Sequence, residues 1–229
     1  LRKLAEVAPG TFQHCMQVAN LAEEAIRKID GNPLLVRAGA LYHDIGKLDN
    51  PEYFTENQNT NYNPHDKLEY TKSASVIISH VKKGVEIARK HGLPEQIIDF
   101  IKTHHGASKV LYFYRTYKNK YPDKEIDDND FSYPGPLPYS KETAVLMMAD
   151  SVEAASRSLK NVDIESIKKL INSIIDYQIK EELFVDSNIT FKDIKIIKQV
   201  FNAKLRNIYH ARIEYPEDND EKKTTNNDE

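Results

Sequence analysis

Residues 33–48 read PLLVRAGALYHDIGKL, an apolar run that ends in the doublet His43-Asp44. Pro33 suits the first turn of a helix, where a missing N–H costs nothing. Leu34, Leu35, Ala38, Leu41 and Tyr42 follow at helical spacing, so the doublet is expected at a helix end. Just upstream, Asp30-Gly31-Asn32 is turn chemistry. Before it, Phe12, Met16, Ala19, Ala22, Ile26 and Ile29 form the stripe of an earlier amphipathic helix, with Thr11 as its expected N-cap. Downstream, residues 49–68 are polar and rich in asparagine and read as a long loop. Loops of that length in a compact domain are usually functional or disordered.

The rest of the chain continues the helical pattern. A helix over about 71–90 carries Ala74, Ile77, Ile78, Val81, Val85 and Ala88, and a shorter one through Ile97, Ile98, Phe100 and Ile101 ends at His104-His105-Gly106. Residues 107–117 read as an aromatic-rich helix, and the charged, then proline-rich stretch 119–140 as a second loop. Further helices are expected over 141–159, 163–180 and 190–212, the last opened by a capping box between Thr190 and Asp193. No repeat and no alternating strand pattern is found. The expectation is an all-α fold, a single helical bundle over residues 1–216, with the charged segment 217–229 a disordered tail.

Composition narrows the function. A chain of 229 residues with 40% hydrophobic residues can bury a sizeable core. Its formal charge of −3 argues against a broad DNA or long-RNA surface, though a small nucleotide needs only a few cations in a pocket. The single cysteine, Cys15, fits a reducing compartment, and as the neighbour of His14 it would point about 100° away on the helix, which suggests core rather than nucleophile. No apolar run approaches the ~18 residues of a membrane span. The chain begins at Leu1 without methionine, so it is expected to be a piece of something longer. Oligomeric state is not legible.

Chemistry is concentrated in histidines. His14 lies on the first helix, His43 ends the second, His80 sits on the middle one, and His104-His105 end the next. Asp150 follows the apolar run Ala144–Ala149, where an unpaired carboxylate is costly to bury. A lone helical histidine is usually solvated or satisfied in the core, and Asp150 alone could bond a backbone group. Their conjunction argues for a cation, and imidazole with carboxylate suits Fe, Mn, Co or Zn.

The run Tyr42-His43-Asp44-Ile45-Gly46-Lys47-Leu48, preceded by His14 and followed by a distant Asp150, resembles the motif of the HD-domain metal-dependent phosphohydrolases. Ala8–His14, ENQ (56–58), NPHDK (63–67), HHG (104–106), YPGP (133–136), ADSVEAASRSL (149–159) and Tyr209–Pro216 extend the likeness. Together they are similar to the cytoplasmic HD domain of seven-transmembrane HD phosphodiesterases of bacteria. That resemblance implies hydrolysis of the second messenger cyclic di-AMP to pApA by a metal-activated water. It also implies an HD bundle with two divalent ions, Fe or Mn, at its centre. One ion would be held by His14, His43, Asp44 and Asp150, and the other by Asp44, His80, His104 and His105, making Asp44 the bridge. Attachment to a membrane would come only through a missing N-terminal region. Other HD enzymes act on dinucleoside polyphosphates or nucleoside mono- and triphosphates, and a sensor domain with little turnover is a further alternative.

Around this set, Lys47 is a candidate catalytic and phosphate-binding cation, four residues after His43 and on the same face if the helix continues. Arg157 either contacts phosphate or pairs with Glu153. Tyr112, Phe113, Tyr114 and Tyr117 are core or, for one or two of them, a stacking platform for adenine, with Tyr112 the candidate. His65-Asp66 repeats the doublet in a loop, where Asp66 reads as an N-cap. His91, before Gly92, suits a helix C-terminus.

Overall fold

The computed structural model describes residues 1–58, 62–159 and 163–210. Among these, the helices are α1 (Arg2–Val7), α2 (Pro9–Arg27), α3 (Pro33–Tyr42), α4 (Tyr70–Lys90), α5 (Glu95–Thr103), α6 (Leu111–Lys120), α7 (Lys141–Ser156), α8 (Ile164–Lys180) and α9 (Phe191–His210). No strand occurs among the described residues, and the fold is all-α. Residues 211–216 of the expected domain and the tail 217–229 lie outside the described residues.

The centre is α7, in which every residue from Thr143 to Asp150 is buried. A helix apolar on all sides must be surrounded. Helices α2, α3, α5 and α8 do so, joining Ala19, Ala22 and Ala25 of α2, Val36 and Ala40 of α3, and Ile167, Ile171 and Ile175 of α8 in one core. Helix α9 closes the far side through Ile197, Phe201 and Leu205. Ser140 and Thr143 form a capping box at the start of α7, and Thr190 and Asp193 form the one expected before α9, with bonds of 3.0 and 3.1 Å. Asn32 caps α3, its side chain accepting from the backbone of Leu35 at 3.1 Å.

Several local expectations change. Helix α2 begins at Pro9, with Ala8 at the N-cap position, so Thr11 lies inside the helix. Its hydroxyl instead donates to Glu56, and its backbone N–H donates to Asn57. That contact docks the 49–68 segment, whose described residues include 3₁₀ turns at Pro51–Tyr53, Thr55–Asn57 and Pro64–Lys67. Asp66 lies within the last of these turns, which Asn63 caps, so Asp66 is not an N-cap. Helix α6 starts at Leu111 and not at 107, because residues 106–110 pair instead with 131–135. Val110 N–H donates to Phe131, Tyr133 N–H to Ser108 and Gly135 N–H to Gly106, at 2.8–3.0 Å. Helix α7 ends at Ser156, with Arg157 at its C-cap. His91 is the C-cap of α4.

Candidate metal centre

Five helices converge on one buried point. His14 comes from α2, His43 and Asp44 from the end of α3, His80 from α4, His104 and His105 from the end of α5, and Asp150 from α7. All are at most 5% exposed as residues except His105. The side chain of His105 is 24% exposed, so the centre is reached from its side.

Asp44 sits where α3 stops. Its backbone (φ −105°, ψ 14°) leaves the α-helix, and a 3₁₀ turn, Ile45–Asp49, follows. The carboxylate therefore points across the bundle and divides its oxygens. Oδ2 lies 3.3 Å from His43 Nε2 and 3.6 Å from His14 Nε2, whereas Oδ1 lies 3.3 Å from His80 Nε2 and 3.6 Å from His104 Nε2. His14, His43 and Asp150 form one group whose potential ligand atoms lie within 4.8 Å of one another, and His80, His104 and His105 form another. His14 Nε2 is 2.9 Å from Asp150 Oδ1, and His105 Nδ1 is 3.8 Å from Asp150 Oδ2.

The imidazoles are oriented from behind. His43, His80 and His104 each donate Nδ1–H to the carbonyl three residues earlier, of Ala40, Ile77 and Ile101, at 2.7, 2.6 and 2.9 Å. In the neutral imidazole each Nε2 then carries a lone pair into the cluster. His80 Nε2 and His104 Nε2 stand 3.0 Å apart, an arrangement that two lone pairs do not sustain without positive charge between them. His43 Nε2 and Asp44 Oδ1 are buried and have no hydrogen-bond partner in the protein. Orphaned buried acceptors of this kind call for a cation. The donor set fits a divalent transition metal.

The charge distribution is uneven. Burial alone lowers the pKa of His14, but hydrogen bonds to Asp150 and Glu153 outweigh it and push it up to about 9. His43 is likewise raised against its burial, mainly by the charge of Asp44. Asp44 and Asp150 are held well below the usual carboxylate range despite burial, Asp44 by Lys47 and His43, and Asp150 by His14 and His43. His104 and His105 are pushed down by burial. The His14 side thus favours positive charge, while the His104–His105 side presents neutral imidazoles.

Lys47 reaches the centre, though not by a continuing helix. The 3₁₀ turn carries its Nζ to 2.7 Å from Asp44 Oδ2 and 2.8 Å from Glu56 Oε1. Arg157 donates Nε–H and Nη2–H to Glu153 Oε1 at 3.0 and 2.8 Å. Tyr112 is 72% exposed with its ring edge-on to Phe113, so it does not line the buried cluster. His65 bonds the carbonyl of Tyr53 at 2.9 Å and packs against Phe113. Cys15 is buried behind His43, its Sγ 3.8 Å from Nδ1 and thus on the side away from the cluster.

Three contacts were not anticipated from sequence. Glu153 bonds His14 Nδ1, Glu56 pairs with Lys47, and Tyr133 stacks on His105 at 4.1 Å between centroids and 25° between planes. Glu153 stands three residues after Asp150, one helical turn on, and that spacing was a usable signal. Glu56 and Tyr133 arrive through segments outside the α-helices, with no periodicity to read. A groove of about 980 Å³ between α8 and α9, lined by Ile171, Ile194 and Arg206 among others, shares no residue with this centre.

Residues 11–155 match the family described as HD domain. The cyclic-di-AMP phosphodiesterase PgpH of Bacillus subtilis is 44% identical over 217 residues, 95% of this chain and 30% of that protein. The protein of the same name from Listeria monocytogenes is 44% identical over 220 residues, 96% of this chain and again 30% of the relative. The chain therefore spans less than a third of the length of these curated relatives. The crystal structure of the L. monocytogenes PgpH HD domain in complex with cyclic di-AMP superposes with a TM-score of 0.87 at 43% identity, covering 91% of this chain and 96% of that one.

Proposed function

This chain belongs to the HD-domain family, and we propose that it hydrolyses cyclic di-AMP to linear pApA at a centre holding two divalent cations, Fe or Mn. The observation that carries the proposal is the divided carboxylate of Asp44, with one oxygen toward His14 and His43 and the other toward His80 and His104. His14, His43, Asp44 and Asp150 would hold one cation, and Asp44, His80, His104 and His105 the other. When bound, such cations supply positive charge to a phosphodiester and make water a competent nucleophile near neutral pH. Hydrolysis of one 3′–5′ bond then opens the ring without a covalent protein intermediate.

The protein's own groups prepare that chemistry. Four backbone or carboxylate acceptors lock the Nδ1 side of His14, His43, His80 and His104, so each Nε2 is already aimed. Lys47, fixed by Asp44 and Glu56, brings a permanent ammonium beside the phosphate site. Tyr133 holds His105 flat at the open side. Tyr112, an exposed ring, is the candidate platform for adenine. The relatives named for this activity, and the crystal structure of one HD domain with cyclic di-AMP, support the choice of substrate. No helix of the described residues is long and apolar enough to cross a membrane. From its resemblance to the HD domains of seven-transmembrane phosphodiesterases, we propose that the domain lies on the cytoplasmic side of a membrane-anchored protein.

The test is incubation with cyclic di-AMP and cyclic di-GMP in the presence of Mn(II), with products separated by chromatography beside an Asp44→Ala control. Mn-dependent formation of pApA, absent in the control, is the expected result. Cleavage of a mononucleotide or dinucleoside polyphosphate instead would keep the chemistry and refute the substrate. Binding of cyclic di-AMP with no turnover would refute the enzymatic reading.

A further inference from the structure

The four imidazoles that present Nε2 to the centre are not braced alike. For His43, His80 and His104 the brace is a neutral backbone carbonyl three residues back. For His14 it is the carboxylate of Glu153, whose Oε2 bonds Nδ1 while Nε2 faces Asp150 and Asp44. Glu153 has only 8% of its side chain exposed, so its charge is little screened, and its other oxygen is occupied by Arg157 through two N–H groups. The carboxylate is thereby fixed in both position and rotation. In the other histidine group, the Nδ1 positions of His80 and His104 are already bonded to backbone carbonyls.

A carboxylate behind a ligating imidazole does two things that a carbonyl does not. It holds the proton on Nδ1 more firmly, and it makes Nε2 a more basic donor. Both effects act on one side of the centre only. Resting on the two-cation reading above, we infer that Glu153, clamped by Arg157, is a positioning residue that strengthens the His14–His43–Asp150 cation site and leaves the His80–His104–His105 site unchanged. The two sites therefore differ in affinity for a reason built into α7, where Asp150 as ligand, Glu153 as brace and Arg157 as clamp follow one another along one helical face. Of the two roles that the sequence offered for Arg157, a phosphate contact or a partner of Glu153, the contact with Glu153 is made by its Nε–H and Nη2–H.

The experiment is a Mn(II) titration of the purified chain, counting free ion by electron paramagnetic resonance, with folding checked by circular dichroism. The wild type is titrated first, and binding of fewer than two ions would refute the two-cation reading itself. Given two ions, Glu153→Ala is expected to weaken one binding class by roughly 10–100-fold and leave the other in place. Glu153→Gln, whose amide oxygen can still accept from Nδ1–H, should recover part of that loss. Arg157→Ala, at a partly exposed position, should produce a smaller loss in the same class and serves if Glu153→Ala does not fold. Unchanged affinities in the folded variants, or equal weakening of both classes, would overturn the inference. A purely structural role for Glu153 would lower the melting temperature without separating the two classes.

Discussion

Gly46→Ala tests the link between the motif and the centre. Gly46 lies in the 3₁₀ turn that packs on α4. A Cβ there would stand 1.8 Å from the carbonyl oxygen of His80 and 2.5 Å from the backbone nitrogen of Gly84. Both obstacles are backbone, so no side chain can swing aside. Even a tight 3.0 Å contact requires the turn and the helix to part by at least 1.2 Å. The same movement separates Asp44 from His80, which now lie 3.3 Å apart. Overpacking of this kind costs roughly 1–3 kcal/mol, and a clash between two backbones belongs at the upper end. For a chain of this size about 3 kcal/mol corresponds to a fall of roughly 6–12 °C in Tm. The sign is informative, because an unhindered Gly→Ala change would stabilise by about 0.4–1 kcal/mol through the unfolded state. Urea unfolding of the metal-free variant, with a parallel Mn(II) titration, reads both consequences. A variant as stable as the wild type, with both ions bound as tightly, would refute the idea that this glycine sets the distance between Asp44 and α4.

The metal-free protein should also respond to alkali. His14 has a folded pKa of about 9 against an ordinary 6.5, so its protonated form stabilises the fold below pH 6.5 and that contribution fades as pH rises through 9. The loss is about 3 kcal/mol over this window. Thermal melts in chelator from pH 6.5 to 9 would measure it, and flat or rising stability would contradict it. With metal supplied the trend reverses, since a cation competes with that proton and binds better as pH rises. Lys47→Met leaves the buried Asp44 and the half-buried Glu56 without their cation and should cost about 3–5 kcal/mol. Adding Glu56→Gln should return part of that, and a cost below ~0.5 kcal/mol for the single change would mean that Lys47 is a solvated surface residue.

Helix positions were legible in the chain where burial repeats every three to four residues along it, as in the stripe from Phe12 to Ile29. The residues brought together at the centre were legible for a different reason. Imidazoles and a carboxylate in apolar surroundings are costly without a cation, and the His43-Asp44 doublet at a helix end carried a family likeness. Local spacing was less reliable where the helix stopped. Lys47 was expected on a continuing α3, yet a 3₁₀ turn delivers it, and Thr11 left its expected capping role to anchor Glu56 and Asn57. What only the tertiary structure decided is which atoms face one another: the two oxygens of Asp44 shared between two histidine groups, Glu153 behind His14, Glu56 on Lys47 and Tyr133 on His105. These partners lie on different elements, or on segments without periodicity. Their meeting depends on how closely backbones such as those of Gly46 and His80 can approach, a distance that no local pattern encodes.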